Sequence, residues 1–329
     1  MPKDFEFEKS IIELEDRIRE LQAISESGKV DLSREIKAIS EKVDALKNEV
    51  YGNLEPWQIT QVARHINRPS TLDLVKCLCG EEFVELHGDR LFGDDPAIVS
   101  GIGRIGDHRV MIIGHQKGHD TEENIYRNFG MPHPEGYRKA LRMMKTAERF
   151  GLPIVTFIDT PGAFPGIGAE ERGQSDAIAR NLAEMSGIRV PILCFVTGEG
   201  GSGGALAIGV GDRVFMFEFS VYSVISAEGC AAILWNDPAK TKEAATALRL
   251  RATNLLDAGI IDDILPEPIG GAHRNHQMAA DEIKKQIDKH LPTLIALKAD
   301  KLLDERYKKF RGMGKFTREE ELEHAQEQA

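Results

Sequence analysis

The chain has 329 residues, 41% of them apolar and 29% charged, with a formal net charge of −11. That balance suits a globular protein with room for one large α/β domain and an appendage. It argues against a general nucleic-acid or anionic-membrane binder, and no apolar run approaches the ~20 residues of a membrane span. The opening residues are acidic and lack the basic-then-apolar order of a signal peptide, so a cytoplasmic location is expected. Cys77, Cys79, Cys194 and Cys230 include no Cys-x-x-Cys pair. They are expected to be reduced, and no metal site is expected in this chain.

Residues 1–52 read as a separate helical, coiled-coil-like segment. Ile11, Leu14, Ile18 and Leu21 recur at spacings of three and four, and so do Ile36, Ile39, Val43, Leu46 and Val50. Each set makes one apolar seam on one helix. The break between them falls near Ser27-Gly28-Lys29, with Asp31 or Ser33 as the second helix's N-cap. A helical hairpin is expected.

Residues 53–315 follow a different pattern. Ile98–Arg104 and Arg109–Gly114 are short strands joined through Gly106-Asp107, a hairpin. Pro134 opens a helix to about Phe150, with Tyr137, Leu141, Met144 and Ala147 on one face. Strand 153–158, a helix over about 170–186, strand 190–196, a glycine-broken helix and strand 213–218 come next. Helices near 228–235, 240–257 and 276–310 complete the domain. Strands alternating with helices require crossover connections and a largely parallel, doubly covered sheet. Residues 316–329 read as an acidic tail.

Seven glycines fall between Gly198 and Gly211, directly after an apolar strand. Glycine lets the main chain approach a ligand and aim N–H groups at it. A strand running through such a turn into a short helix favours negative oxygen. A second turn of this kind, Asp159-Thr-Pro-Gly-Ala-Phe-Pro-Gly166, follows strand 153–158. Three chemistries fit the run. Gly200-Gly-Ser202-Gly-Gly204 fits the G-x-S-x-G elbow of a serine hydrolase, with His273 as a loop histidine downstream. Gly198-Glu-Gly200-Gly-Ser-Gly203 fits a dinucleotide phosphate turn, with Glu218 as the ribose acid. In the third, the amides of Gly203 and Gly204 hold an oxyanion directly and no side-chain nucleophile is needed.

Six blocks carry a resemblance: Gly114-His-Gln-Lys-Gly118, Asn128-Phe-Gly-Met-Pro132, Pro134-Glu-Gly-Tyr-Arg-Lys-Ala140, Phe157-Ile-Asp-Thr-Pro-Gly-Ala163, Gly168-Ala-Glu-Glu-Arg-Gly-Gln174 and the glycine run itself. Ser223–Cys230 and Ile264–Arg274 extend it. Together they resemble the carboxyltransferase alpha subunits of bacterial and plastid acetyl-CoA carboxylase over nearly the whole chain. The resemblance implies a crotonase-like spiral of ββα units behind the N-terminal helical hairpin. It implies carboxyl transfer from carboxybiotin, borne on biotin carboxyl carrier protein, to acetyl-CoA, giving malonyl-CoA for fatty acid synthesis. It also implies a beta subunit carrying a zinc ribbon and the second oxyanion hole, an α2β2 assembly, and a biotin carboxylase in the same ATP-dependent system. No cofactor is expected to be bound covalently here.

On the same resemblance, Gly203 and Gly204 match the biotin-side oxyanion hole. Gly162, Ala163, Gly201, Ser202, Lys117 and Arg172 fall where substrate contacts are expected, with a solvated Lys117 and a structural ion pair at Arg172 as the plainer readings. His119 stands where relatives often have a basic residue and is expected to be neutral. Asp159 is expected to brace its turn. Two readings of other classes stand beside this one: a non-catalytic scaffold built on the N-terminal helices, and a free-standing thioester hydrolase or isomerase.

Overall fold

The computed structural model describes residues 5–26 and 31–314. Helix α1 (Lys9–Glu26) and helix α2 (Ser33–Gly52) lie against each other. Ile11 and Val43 are buried where the pair meets the rest of the chain. Leu32, not Asp31 or Ser33, holds the N-cap position of α2; the Asp31 carboxylate just ahead of it accepts from the Ser33 N–H at 3.0 Å, and Ser33 opens the helix. The expected break at Ser27–Lys29 and the tail 316–329 lie outside the described residues. Glu8 is buried under this base, accepting from the Tyr51 hydroxyl at 2.7 Å and from Arg274 at 2.8 Å. Helices α3 (Pro56–Ala63) and α4 (Thr71–Cys79) lead into the sheet.

Among the described residues, eight strands form one mixed sheet in the order β1-β2-β3-β4-β5-β6-β8, with β7 (Val221–Ser223) paired to β5. Strand β1 (Phe83–Glu85) and the expected hairpin, β2 (Ile98–Ile105) with β3 (His108–His115), are antiparallel. Strands β4 (Ile154–Thr160), β5 (Ile192–Gly201), β6 (Arg213–Phe217) and β8 (Asp263–Leu265) continue the sheet in parallel. Alternation along the strands sorts the core. Ile154, Ile158, Cys194 and Val196 face one apolar layer, and Val155, Phe157, Leu193 and Phe195 face the other. Burial on both faces explains why β4 and β5 read as unbroken apolar runs. Cys194 is part of this core, and burial pushes its thiol up to about 12. All four cysteines are free.

Helix α5 (Thr121–Tyr126) precedes α6 (Pro134–Phe150), which starts and ends where the sequence placed it. Three expected helices are broken. The first becomes α7 (Ile167–Glu171) and α8 (Gln174–Gly187), because Gly173 turns left-handed at φ +81°. After the short α9 (Ser202–Leu206) and α10 (Ala227–Trp235), the stretch near 240–257 divides into α11 (Thr241–Ala247) and α12 (Ala252–Asp257). Between them Leu250 accepts from the Tyr222 N–H and Arg251 bridges to Val221, so the backbone is extended there. The last helix divides into α13 (His276–Ile295) and α14 (Ala299–Arg311). No helix among the described residues is long and apolar enough to cross a membrane.

Candidate active site

Strands β4 and β5 are parallel neighbours, and the two glycine turns stand at their carboxyl ends. Strand β5 is longer than its sequence suggests. Leu193–Val196 pair with β6, and then Glu199–Gly201 pair with β7 (Val221–Ser223). The first glycines of the run are therefore strand residues, and α9 begins at Ser202 with no loop between. Close packing explains the glycines. A Cβ on Gly204 would stand 2.6 Å from both the Ala163 nitrogen and the Gly162 carbonyl carbon. A Cβ on Gly201 would overlap the Pro161 carbonyl. The two turns are thus pressed backbone to backbone.

This contact decides which amides are free. The first N–H groups of a helix have no partner within it, so those of Gly203 and Gly204 in α9 are open to an outside acceptor. On the facing turn the Gly162 N–H is committed to Thr160 Oγ1 at 3.0 Å, and the Phe164 N–H to the Pro132 carbonyl at 3.0 Å. The Gly162 amide is therefore engaged within its own turn. Ala163 keeps its N–H uncommitted among the described residues and lies against Gly204. Ser202 sits left-handed at φ +50° where strand becomes helix, a conformation that costs a non-glycine residue roughly 1–2 kcal/mol.

A cavity of about 310 Å³ opens beside the turns, lined among others by Arg64, His65, Lys117, His119, Phe129 and Pro161. Lys117 Nζ donates to Asp159 Oδ1 at 2.7 Å and to Glu199 Oε2 at 2.9 Å. Arg64 Nε donates to the other Glu199 oxygen at 2.6 Å, and its far end pairs with Glu228. Asp159 also accepts the Glu199 N–H at 2.9 Å, so its carboxylate braces the end of β5, and among the described residues it makes no hydrogen bond to its own turn. Burial pushes the Lys117 amine down, but the two carboxylates outweigh it and raise it above its ordinary value. Burial likewise pushes the Glu199 carboxyl up, and Lys117 and Arg64 outweigh it and hold it low.

His119 corrects another expectation. Its Nδ1 lies 2.8 Å from the Ile66 carbonyl and its Nε2 2.7 Å from the Asp73 carboxylate. Both partners accept, so both ring nitrogens carry hydrogen. The Asp73 hydrogen bond raises its pKa to about 9 against a smaller effect of burial. His119 is an imidazolium at neutral pH, spent on fixing the loop to α4. His115, fully buried under the sheet end, is the reverse case: desolvation lowers it to about 3.

The hydrolase arrangement is not assembled. His273 stacks on His65 at 4.0 Å between ring centres, and burial lowers it to about 2. It makes no hydrogen bond with Ser202. The dinucleotide arrangement fails too, because Gly198–Gly201 are paired strand and α9 has only five residues. Free backbone amides remain as the chemistry of the glycine run.

Comparison with known proteins points the same way. Residues 4–314 match the family model described as acetyl co-enzyme A carboxylase carboxyltransferase-like. The acetyl-coenzyme A carboxylase carboxyl transferase subunit alpha of Geobacter metallireducens is 57% identical over 312 residues, covering 95% of this chain and 98% of that one. The same subunit of Halalkalibacterium halodurans is 54% identical over 317 residues, covering 96% and 97%. The chain belongs to this carboxyltransferase alpha family. Among solved structures, a Pseudomonas malonate decarboxylase hetero-tetramer in complex with coenzyme A has a TM-score of 0.56 at 16% identity, covering 72% of this chain and 92% of that one. Transcarboxylase 12S has a TM-score of 0.52 at 20% identity, covering 66% and 42%. At such identities the likeness is one of fold, and the fold is crotonase-like.

Within this alpha-family chain, the expected residues separate into two groups. Gly201, Ser202, Gly203, Gly204, Gly162 and Ala163 come together at the paired turns, and Lys117 lies at the cavity beside them. Arg172 is committed elsewhere. It grips Glu135 through two nitrogens, at 2.9 and 3.2 Å, and its guanidinium covers the Phe92 ring at 4.5 Å. The ion pair expected as the plainer reading of Arg172 is present in the structure. No motif in the sequence marks Arg64, Glu199 or Glu228 as part of the site. Glu199 lies inside the glycine run, and its charge among glycines was the one visible signal.

Proposed function

We propose that the chain is the alpha half of a biotin-dependent acetyl-CoA carboxyltransferase, forming malonyl-CoA in the first committed step of fatty acid synthesis. The near-full-length identity to alpha subunits supports this reading most strongly. The local geometry supports it through the open amides of Gly203 and Gly204. Biotin, brought in on its carrier protein after an ATP-dependent biotin carboxylase has loaded it, supplies the activated carboxyl group. Gly203 and Gly204 donate to its ureido oxygen, with the Ala163 N–H alongside. Donors fixed before the reaction stabilise developing charge by roughly 3 kcal/mol each in a dry site. The second oxyanion hole and a zinc ribbon come from a beta subunit, in an α2β2 assembly in the cytoplasm. This chain itself binds no cofactor covalently.

The test is to purify the chain alone and with a zinc-bearing beta partner, then follow malonyl-CoA decarboxylation with biocytin. Activity is expected only in the mixture, with a hetero-oligomer by size exclusion and light scattering. A fully active homodimer of the chain alone overturns the reading.

Ser202→Ala in the same complex is expected to keep most of the activity. The side chain fills the strand-to-helix turn, and alanine fills it too. A nucleophile's removal costs orders of magnitude, so near-total loss with folding intact would restore the hydrolase reading.

A further inference from the structure

Three neighbouring strands, β3, β4 and β5, end at the same edge of the sheet. Each is followed or terminated there by one charged residue. Lys117 lies two residues past β3, Asp159 is the penultimate residue of β4, and Glu199 is the third from last of β5. Lys117 Nζ spans the other two at 2.7 and 2.9 Å. Asp159 and Glu199 are themselves buried and linked through the Glu199 N–H. Two carboxylates therefore sit side by side in a poorly solvated place, one shared ammonium between them. Two residues further on, each strand reaches the turn that presses against its neighbour: Pro161–Ala163 on one side, Gly201–Gly204 on the other.

We infer that Lys117 is a positioning residue, an ionic clasp that sets the spacing of the two turns and so the aim of the Gly203, Gly204 and Ala163 amides. This rests on the carboxyltransferase reading above and reassigns Lys117 from substrate contact. Its side chain is about one-fifth exposed, at 21%, and two of its three N–H donors are committed. Without the ammonium, Arg64 alone faces Glu199, and Asp159 has no cation. Two buried like charges then repel, and both stand on the backbone that leads into the turns. Asp159 further packs directly against Gly198, where a Cβ would overlap its carboxyl group, so a displaced Asp159 carries β5 with it.

The charges within reach make the clasp testable by compensation. The cluster holds Lys117 and Arg64 against Asp159, Glu199 and Glu228. Lys117→Met removes one positive charge, and adding Asp159→Asn restores the original balance while keeping an oxygen to accept the Glu199 N–H. The experiment uses the full chain assembled with its beta partner, read by biocytin-dependent decarboxylation of malonyl-CoA and by amide hydrogen exchange of segments 160–166 and 198–206.

Lys117→Met is expected to lower kcat by about 10²-fold, the effect of a displacement near 1 Å, with little change in either KM. Both segments should exchange faster than in the wild type. Lys117→Met/Asp159→Asn should recover at least about tenfold of the lost kcat and most of the exchange protection. A raised KM at unchanged kcat would instead mark a substrate contact and overturn the clasp. So would unchanged exchange in the single variant, or a double variant no better than the single. If Lys117→Met does not assemble, Glu199→Gln serves: it too unbalances the clasp, and unchanged kcat and exchange in it refute the inference. Exchange is measured independently of turnover. A wild-type complex that transfers no carboxyl group but keeps the exchange difference would fault the carboxyltransferase reading and leave the clasp standing.

Discussion

Gly204→Val is expected to abolish measurable carboxyl transfer and to loosen the site at the same time. From sequence alone this position looks like the open lip of a cleft, where a larger side chain would block ligand and spare the fold. The structure changes that expectation, because Gly204 is buried and its Cα faces the Gly162–Ala163 backbone. A Cβ at 2.6 Å from two main-chain atoms has no flexible side chain to push aside, so one of the turns must move. Overpacking of this kind costs typically about 1–3 kcal/mol. Loss of one preorganised donor alone slows such reactions roughly 10²–10³-fold, and the shift also moves the Ala163 amide. The complex should therefore melt a few degrees lower and show no turnover with biocytin. Gly203→Ala is the matched control. Its Cβ would meet only Ile178, at 3.4 and 3.8 Å, which is ordinary contact. It should assemble and melt like the wild type. A Gly204→Val complex with unchanged melting and wild-type rates would remove these turns from the mechanism.

The contrast between Gly203 and Gly204 shows where sequence reasoning stops. Local signals carried much of the scaffold. Gly106-Asp107 between two apolar strands marked the hairpin, Pro134 marked a helix start, and the continuous apolar runs marked β4 and β5. The three-residue strands β1, β7 and β8 carry too little pattern to be seen, since their pairing depends on partners far along the chain. The breaks at Gly173 and Leu250 depend on a left-handed glycine and on pairing with residues near 222. In the site, the glycine run announced backbone chemistry, but its glycines have different tasks. Gly201 and Gly204 allow the turns to touch, whereas Gly203 faces ordinary space. The charges were harder still. Arg64 meets Glu199 across 135 residues and Lys117 meets it across 82, and no periodicity relates them. His119 has its charge from Asp73, 46 positions earlier, and Arg172 pairs with Glu135, 37 positions earlier.

Arg306→Ala is expected to cost more stability than any other single truncation proposed, without touching the chemistry. Arg306, on α14, is 2% exposed. Its guanidinium holds both oxygens of Asp212 at 2.8 Å and donates to the carbonyls of Met185, Ile188 and Val190. Asp212 in turn accepts the Ile192 N–H at 2.7 Å, where β5 begins. Truncation leaves a buried carboxylate without its cation and carbonyls without a donor. Breaking a buried pair in this way costs about 3–5 kcal/mol. At roughly 2–4 °C per kcal/mol for a domain of a few hundred residues, melting should fall by about 6–20 °C. Replacing Asp212 by Asn in the same chain removes the stranded charge, so Asp212→Asn/Arg306→Ala should melt above the single variant. The start of β5 lies nine residues from Gly201, about 30 Å along an extended strand. The turnover of the folded complex, measured well below its melting point, should therefore stay near the wild-type value. Reduced turnover at unchanged melting would instead mean that the start of β5 governs the site at its other end.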